Sequence, residues 1–312
     1  MKMRLLMAVV LALALVSCRP GGAKQKVVGF SQVGAESGWR TAESQSIRDE
    51  AAKRGITLKF SDGQQQQENQ IKALHAFIAQ GVDAIILAPK VETGWEPVLE
   101  EAKKAKIPVI LVDRGVSADP SLYTTLIASD FVAEGKMAGD WLAKKTGGNC
   151  NIAEIQGTPG AAPAIDRKKG FEEAIADKPG MKIVKTQTGD FKREGGKQVM
   201  EAFLKADPKG INALYAHNDD MALGAIQAIE EAGLVPGKDI LIVSIDGVKG
   251  AFEAMAAGKM NCTVECNPLL GPPAFDAIDA ALSGKELPKK TIQKDEIFTQ
   301  DQAKEALPNR KY

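Results

Sequence analysis

The chain has 312 residues, and its 40 Lys plus Arg balance 40 Asp plus Glu. Zero net charge removes the electrostatic footprint that nucleic acid or an anionic membrane surface demands, and points to a small neutral partner. A composition 44% hydrophobic and 26% charged is that of a globular chain long enough for one large or two medium domains.

The N-terminus carries Lys2 and Arg4, an apolar run over 5–16, and Leu15-Val16-Ser17-Cys18 ahead of Arg19-Pro20-Gly21-Gly22. The run falls short of the roughly 20 apolar residues that span a bilayer. Its charged, apolar, small-residue order is that of an export signal. Cys18 closes a segment that resembles a bacterial lipobox, which implies cleavage before it and acylation of its thiol. The expectation is a signal peptide over 1–17, a tether over 18–26, and an exported body held by lipid at Cys18 in the periplasm or at the cell surface.

Beyond Gln25, short β-rich runs alternate with amphipathic stretches of helical length. Strands are predicted over 27–31, 56–60, 84–87 and 107–112, with helices over 44–53, 67–80 and 96–106 between them. In the second helix Ile71, Leu74, Phe77 and Ile78 share one face and Gly81 stops it. The theme restarts after a strand at 125–128. Helices over 131–145, 167–176, 194–206, 221–232 and 248–257 then alternate with strands over 151–155, 182–188, 213–216, 240–245 and 261–265. Repeated βαβ units give a right-handed, doubly wound parallel sheet, and two series imply two similar α/β lobes with a hinge near Ile127-Ala128. A helix over 273–282 and the stretch 291–298 have no place in the second lobe; a return to the first would make the chain cross more than once.

Three apolar runs stop on polar clusters: Asp113-Arg114, His217-Asn218-Asp219-Asp220 and Asp246-Gly247. Ligands of open α/β sheets settle beyond the strands' carboxyl ends, so the chemistry is expected at these tips. Acids, amides and a guanidinium suit a ligand rich in hydroxyls. Asp113-Arg114 is the sharpest pair, offering two acceptors beside a planar donor fork. Asp246 reads as a ligand contact in preference to a helix cap, and Asn218 as a ligand group, with Asp219 and Asp220 capping the next helix. His217 is expected to orient Asn218, and His75 to sit at its helix boundary. Arg167 opens a predicted helix against the macrodipole, which leaves a functional and a solvated role equally open. Trp39, in the glycine-bounded loop 34–40, would wall a sugar's C–H face, with Trp95 and Phe191 as weaker walls and Trp141 in the core.

No nucleophile elbow, phosphate loop or dinucleotide fingerprint occurs, and two histidines without neighbouring cysteines argue against zinc. No catalytic residue, metal or cofactor is expected. Cys150, Cys262 and Cys266 remain after Cys18, an odd count that makes no disulfide framework. On one strand Cys262 and Cys266 would stand about 13 Å apart, so all three are expected buried and unpaired.

The segments 29–34, 62–64, 80–84, Ile107-Pro108-Val109 with Asp113-Arg114, 217–221 and Ser244-Ile245-Asp246-Gly247 resemble the substrate-binding proteins of bacterial sugar ABC importers, of the ribose- and galactose-binding type I fold. The resemblance runs over essentially the whole mature chain. It implies two lobes joined by three crossings, 27–128 with 267–293 and 129–266 with 294–312, that trap sugar by hinge closure. Carried over by position, Glu36, Trp39, Arg40, Asp113 and Arg114 would line the site from the first lobe, and Arg167, Asn218 and Asp246 from the second. Gln32, Ser37, Trp95 and Phe191 are further candidates. At the last crossing, near Cys266-Asn267-Pro268, relatives present a polar group, and the choice between Glu265 and Asn267 stays open. The Pro- and Ala-rich loop 158–164 departs from the pattern.

The resemblance implies a monomeric, exported lipoprotein that captures a monosaccharide and delivers it to an ABC permease with its cytoplasmic ATPase. Segments 34–40, 92–97 and 164–171 resemble the galactofuranose-binding branch, so galactofuranose leads, with pentoses and other hexoses behind. One alternative is a sugar-sensing receptor for chemotaxis or a sensor kinase. Another is a sugar-active hydrolase using Asp113 and Asp246 as acid and base, though such enzymes need two carboxylates at a set separation and these would pair with Arg114 and hydroxyls.

Overall fold

Short, largely aliphatic runs, buried at every position in four of the four-residue strands, set up sheets covered on both faces. The computed structural model describes residues 25–312; the expected signal peptide and the lipidation at Cys18 lie outside the described residues. In chain order the strands are β1 (Val27–Gln32), β2 (Thr57–Asp62), β3 (Ala84–Leu87), β4 (Val109–Val112), β5 (Thr125–Ala128), β6 (Asn149–Gln156), β7 (Gly180–Thr188), β8 (Ala213–Ala216), β9 (Leu241–Asp246), β10 (Cys262–Glu265), β11 (Lys290–Ile292) and β12 (Ile297–Thr299). The helices are α1 (Gly38–Lys53), α2 (Gln67–Ala79), α3 (Glu96–Lys104), α4 (Phe131–Thr146), α5 (Ala162–Ile175), α6 (Arg193–Ala206), α7 (Asp219–Glu231), α8 (Lys249–Ala256), α9 (Gly271–Leu282) and α10 (Ala303–Ala306).

Two six-stranded sheets result, ordered β11-β5-β4-β3-β1-β2 and β12-β10-β9-β8-β6-β7. Every pairing is parallel except β10 with β12. The chain passes between the sheets after β5, after β10 and between β11 and β12. The stretch expected over 291–298 therefore splits, one strand to each sheet. Helix α9 packs on α1, β4 and β5 of the first sheet, whereas α4 packs on β6, β9 and β10 of the second.

Two helix starts differ from the sequence expectation. Helix α1 begins at Gly38 with Ser37 as its cap, whose Oγ accepts the Arg40 N–H at 3.1 Å. Trp39 and Arg40 thus ride on a helix and not in a loop. Helix α5 begins at Ala162 with Pro163 in its first turn, where a missing N–H costs nothing. Arg167 therefore lies past the first turn, and its charge does not oppose the helix dipole as the shorter predicted helix implied.

Helices α4 and α5 meet backbone to backbone through glycines. A Cβ at Gly170 would stand 1.9 Å from the Val132 carbonyl oxygen, and one at Gly135 2.1 Å from that of Arg167. This contact fixes where α5 presents Arg167. Gly170→Ala should therefore lower stability by about 1–3 kcal/mol or more, read from the urea midpoint; an unchanged midpoint would contradict this packing.

Candidate ligand-binding site

The first sheet's tips surround a single guanidinium. Glu36, just ahead of the Ser37 cap, and Glu43, one turn beyond Arg40 on α1, flank Arg40 from either side, and the end of β4 brings Asp113 and Arg114 alongside. Arg40 donates from Nε to Glu36 Oε1 at 3.1 Å, from Nη1 to Glu43 Oε2 at 2.5 Å and from Nη2 to Asp113 Oδ2 at 2.6 Å. Arg114 Nη1 donates to the Lys90 carbonyl at 3.1 Å, while its Nε is buried without a hydrogen-bond partner among the described residues. Asp113 holds φ at 62°, a strained value that this surrounding network sustains.

Burial alone would lower the Arg40 pKa, but the three carboxylates hold it well above the ordinary value. Glu36, despite burial, is held below its usual range by Arg40 and Arg114. Burial pushes Glu43 up to about 7 against the pull of Arg40. Arg114 is lowered by burial and by Arg40, and stays a cation.

The second sheet builds a matching half around Arg167. Its Nε donates to Glu134 Oε2 at 2.7 Å and its Nη1 to the His217 carbonyl at 2.6 Å, with Nη2 3.5 Å from Asp246 Oδ1. Burial drives the Asp246 carboxyl well above its usual pKa and Glu134 to about 7, and Arg167 offsets both only in part. Asn218 caps α7, accepting from the Met221 N–H at 3.0 Å and donating to the Phe191 carbonyl at 3.2 Å.

The assignment of caps thereby changes. Asp219 does not cap its own helix; it accepts from the Ser244 and Thr263 hydroxyls and from the Val248 N–H that opens α8. Asp220 reaches the opposite lobe, accepting from the Gly38 N–H at 2.7 Å, and pairs with Arg193. His217 bonds Glu154 at 3.1 Å and takes the Gly157 N–H at 3.4 Å, so it anchors β6 and does not orient the Asn218 side chain.

Between the halves lies a small pocket lined by residues of both. All eight leading candidates line it: Glu36, Trp39, Arg40, Asp113, Arg114, Arg167, Asn218 and Asp246, together with Ser37 and Phe191. Gln32 and Trp95 do not. Gln32 is consumed by Glu43, Ser44 and its own Val33 N–H, and Trp95 is fully buried with its indole donating to the Val91 carbonyl. Pro163 and Cys266 were missed as wall residues. Cys150, Cys262 and Cys266 are all buried and free. Among the described residues no cluster of potential metal ligands occurs.

The chain has counterparts among known proteins. Residues 28–286 match the model of the periplasmic binding protein domain. The chain belongs to the periplasmic binding protein family. It is 57% identical over 289 residues, 91% of each chain, to the galactofuranose-binding protein YtfQ of Escherichia coli. Among solved structures it is similar to the periplasmic binding protein component of the arabinose ABC transporter from Shewanella sp. ANA-3, bound to α- and β-L-arabinofuranose. That match has 60% identity, a TM-score of 0.90, and covers 92% of this chain and 96% of the other. A Mycobacterium smegmatis structure in complex with β-D-fucofuranose gives 52% identity and a TM-score of 0.90 over 92% and 95%. This kinship is with substrate-binding proteins, not enzymes.

Two outcomes follow from the buried charges. Arg40→Met strands three carboxylates and should lower stability at neutral pH by roughly 3–5 kcal/mol, with partial recovery in acid, as read by urea denaturation. Full stability at neutral pH would show that Arg40 does not neutralise the cluster. In the unaltered protein Glu43, Glu134 and Asp219 titrate near 7 when folded. Their contribution is therefore complete below the unfolded value of about 4.3 or less and is lost as pH rises through 7. His217, lowered by burial, acts oppositely as one group against three. The sugar-free urea midpoint should rise from about pH 8 to about pH 5.5; a fall would contradict these environments.

Proposed function

We propose that this protein is an exported solute-binding protein that captures one monosaccharide in its furanose form, closes on it and delivers it to an ABC permease with its cytoplasmic ATPase. Galactofuranose leads, with arabinofuranose and fucofuranose next. The proposal includes a lipid anchor at Cys18, action as a monomer, and the two-lobe division 27–128 with 267–293 and 129–266 with 294–312.

The observation that carries this reading is a pocket whose polar walls come from both lobes. The side chains of Glu36, Arg40, Asp113, Arg114, Arg167 and Asp246 are only 2–5% exposed. Walls so covered are reached only when the lobes part, so opening admits the sugar and closure holds it. Asp113 and Glu36 accept from hydroxyls, the Asp246 carboxyl hydrogen-bonds to another, and Arg114 Nε and Arg167 Nη2 donate to them. Trp39 and Phe191 offer flat faces to C–H groups. Selectivity comes from hydroxyl geometry, because a wrong sugar leaves buried groups unpaired. The names of the three relatives described above, each of which carries a furanose, support the ring form.

Titration calorimetry with D-galactose, L-arabinose and D-fucose tests this. Since pyranose dominates these sugars in water, the apparent dissociation constant equals the intrinsic one divided by the furanose fraction. Binding of at least one, weakened about 10- to 150-fold in Arg114→Met, is expected for loss of a charged hydrogen bond. No heat from any of the three in the wild-type protein would overturn the reading.

A further inference from the structure

Residues 310–312 do not line the pocket, yet they hold the backbone that delivers two pocket residues. Arg310 Nη2 lies 2.7 Å from the Gly247 carbonyl oxygen, 2.8 Å from Glu265 Oε1 and 2.7 Å from the Tyr312 hydroxyl. The Tyr312 hydroxyl itself donates to Glu265 Oε1 at 2.9 Å. Gly247 follows Asp246, and Glu265 precedes Cys266; both Asp246 and Cys266 line the pocket. In the β9–β10 register Glu265 sits opposite Asp246. One guanidinium thus spans the carboxyl ends of two neighbouring strands where the chain leaves the second sheet for the first.

The turn it holds is a difficult one. Asp246 has φ at 133° and Gly247 at 75°, and such backbone persists only where neighbours over-determine it. Three bonds do so: Cys266 N–H to the Asp246 carbonyl at 3.0 Å, Gly247 N–H to Thr263 Oγ1 at 3.2 Å, and Arg310 to the Gly247 carbonyl. Arg310 is itself fixed. Its guanidinium carbon lies 4.6 Å from the Phe252 ring centroid, 5.3 Å from that of Phe298 and 4.8 Å from that of Tyr312, and its side chain is 10% exposed. The Tyr312 carbonyl also accepts the Lys249 N–H at 2.6 Å, tying the same segment to the first turn of α8.

We propose that Arg310, braced by Tyr312, is a positioning residue for the sugar site: it locks the Asp246-Gly247 turn and the Glu265-Cys266 crossing so that the Asp246 carboxylate meets the sugar at a fixed angle. It touches no ligand. Its role rests on the sugar-binding reading above, and its effect is on how well Asp246 is pre-set and how long the closed form lasts.

The test measures affinity and dissociation rate for L-arabinose and D-galactose, well below each variant's melting temperature, in wild type, Arg310→Met, Arg310→Lys and Leu307→Ala. The Leu307 side chain packs against the core in the same segment and takes no part in the bonds of the Arg310 guanidinium; its carbonyl, which accepts the Arg310 N–H at 3.2 Å, is unchanged by the substitution. The expected result is about tenfold weaker binding for Arg310→Met, mostly as faster dissociation, substantial rescue by Arg310→Lys, and wild-type affinity in Leu307→Ala despite a lower melting temperature. Wild-type affinity in Arg310→Met would overturn the positioning role while leaving sugar binding intact. Affinity that follows melting temperature across all variants would reduce Arg310 to a structural prop and overturn the proposal. Failure of the wild-type protein to bind either sugar would instead remove the reading on which the proposal stands.

Discussion

Arg40, 3% exposed and bonded to Glu36, Glu43 and Asp113, is the constraint around which the first half of the site is organised. A buried charge is tolerable only when paired and fully bonded, so its three acceptors must converge from α1 and the tip of β4. That convergence aims Asp113 and Glu36 and leaves Arg114 beside them with an unshared donor. Arg167 repeats the scheme in the second half with Glu134, the His217 carbonyl and Asp246. Each lobe spends one arginine on holding its acids in place, which is pre-organisation for a ligand that offers only hydroxyls and C–H faces.

The two halves meet through few polar contacts. The Gly38 N–H reaches Asp220, the Glu92 N–H reaches the Gly160 carbonyl at 3.0 Å, and Arg114 stands over Phe191 at 5.3 Å. Trp39 donates to the Cys266 carbonyl at 2.5 Å, linking a pocket wall to the crossing that follows β10. Hydrogen bonds of this kind can exchange for water as the surfaces part and rejoin, although apolar side chains of both lobes also form one continuous buried cluster. Under the proposed function, sugar bridging the two arginine-centred halves supplies the extra interaction that favours the joined form.

Much of this was legible in the sequence. Aliphatic runs such as Ala84–Leu87 and Val109–Val112 are buried on both faces, and their polar tips reported where the pocket lies. Helix starts were harder. Ser37 is a readable cap, but Gly38 and a mean polarity along α1 hid the first turn, and with it the spacing that joins Arg40 to Glu36 and Glu43. Trp95, expected as a weaker wall, is instead fully covered by its neighbours. Asn218, Asp219 and Asp220 share one tip, yet each serves a different element, a division set by tertiary neighbours such as Ser244, Thr263 and Gly38. The splitting of 291–298 between two sheets and the grip of Arg310 on Gly247 are long-range pairings with no local signature.

The central claim is that two arginine-centred half-sites close around one sugar. Small-angle X-ray scattering, with and without saturating L-arabinose or D-galactose, tests it most directly. A larger radius of gyration is expected without sugar, and a contraction that saturates with one sugar per chain. Identical scattering curves in the presence of demonstrated binding would contradict it, since a sugar would then reach these buried walls without the lobes parting.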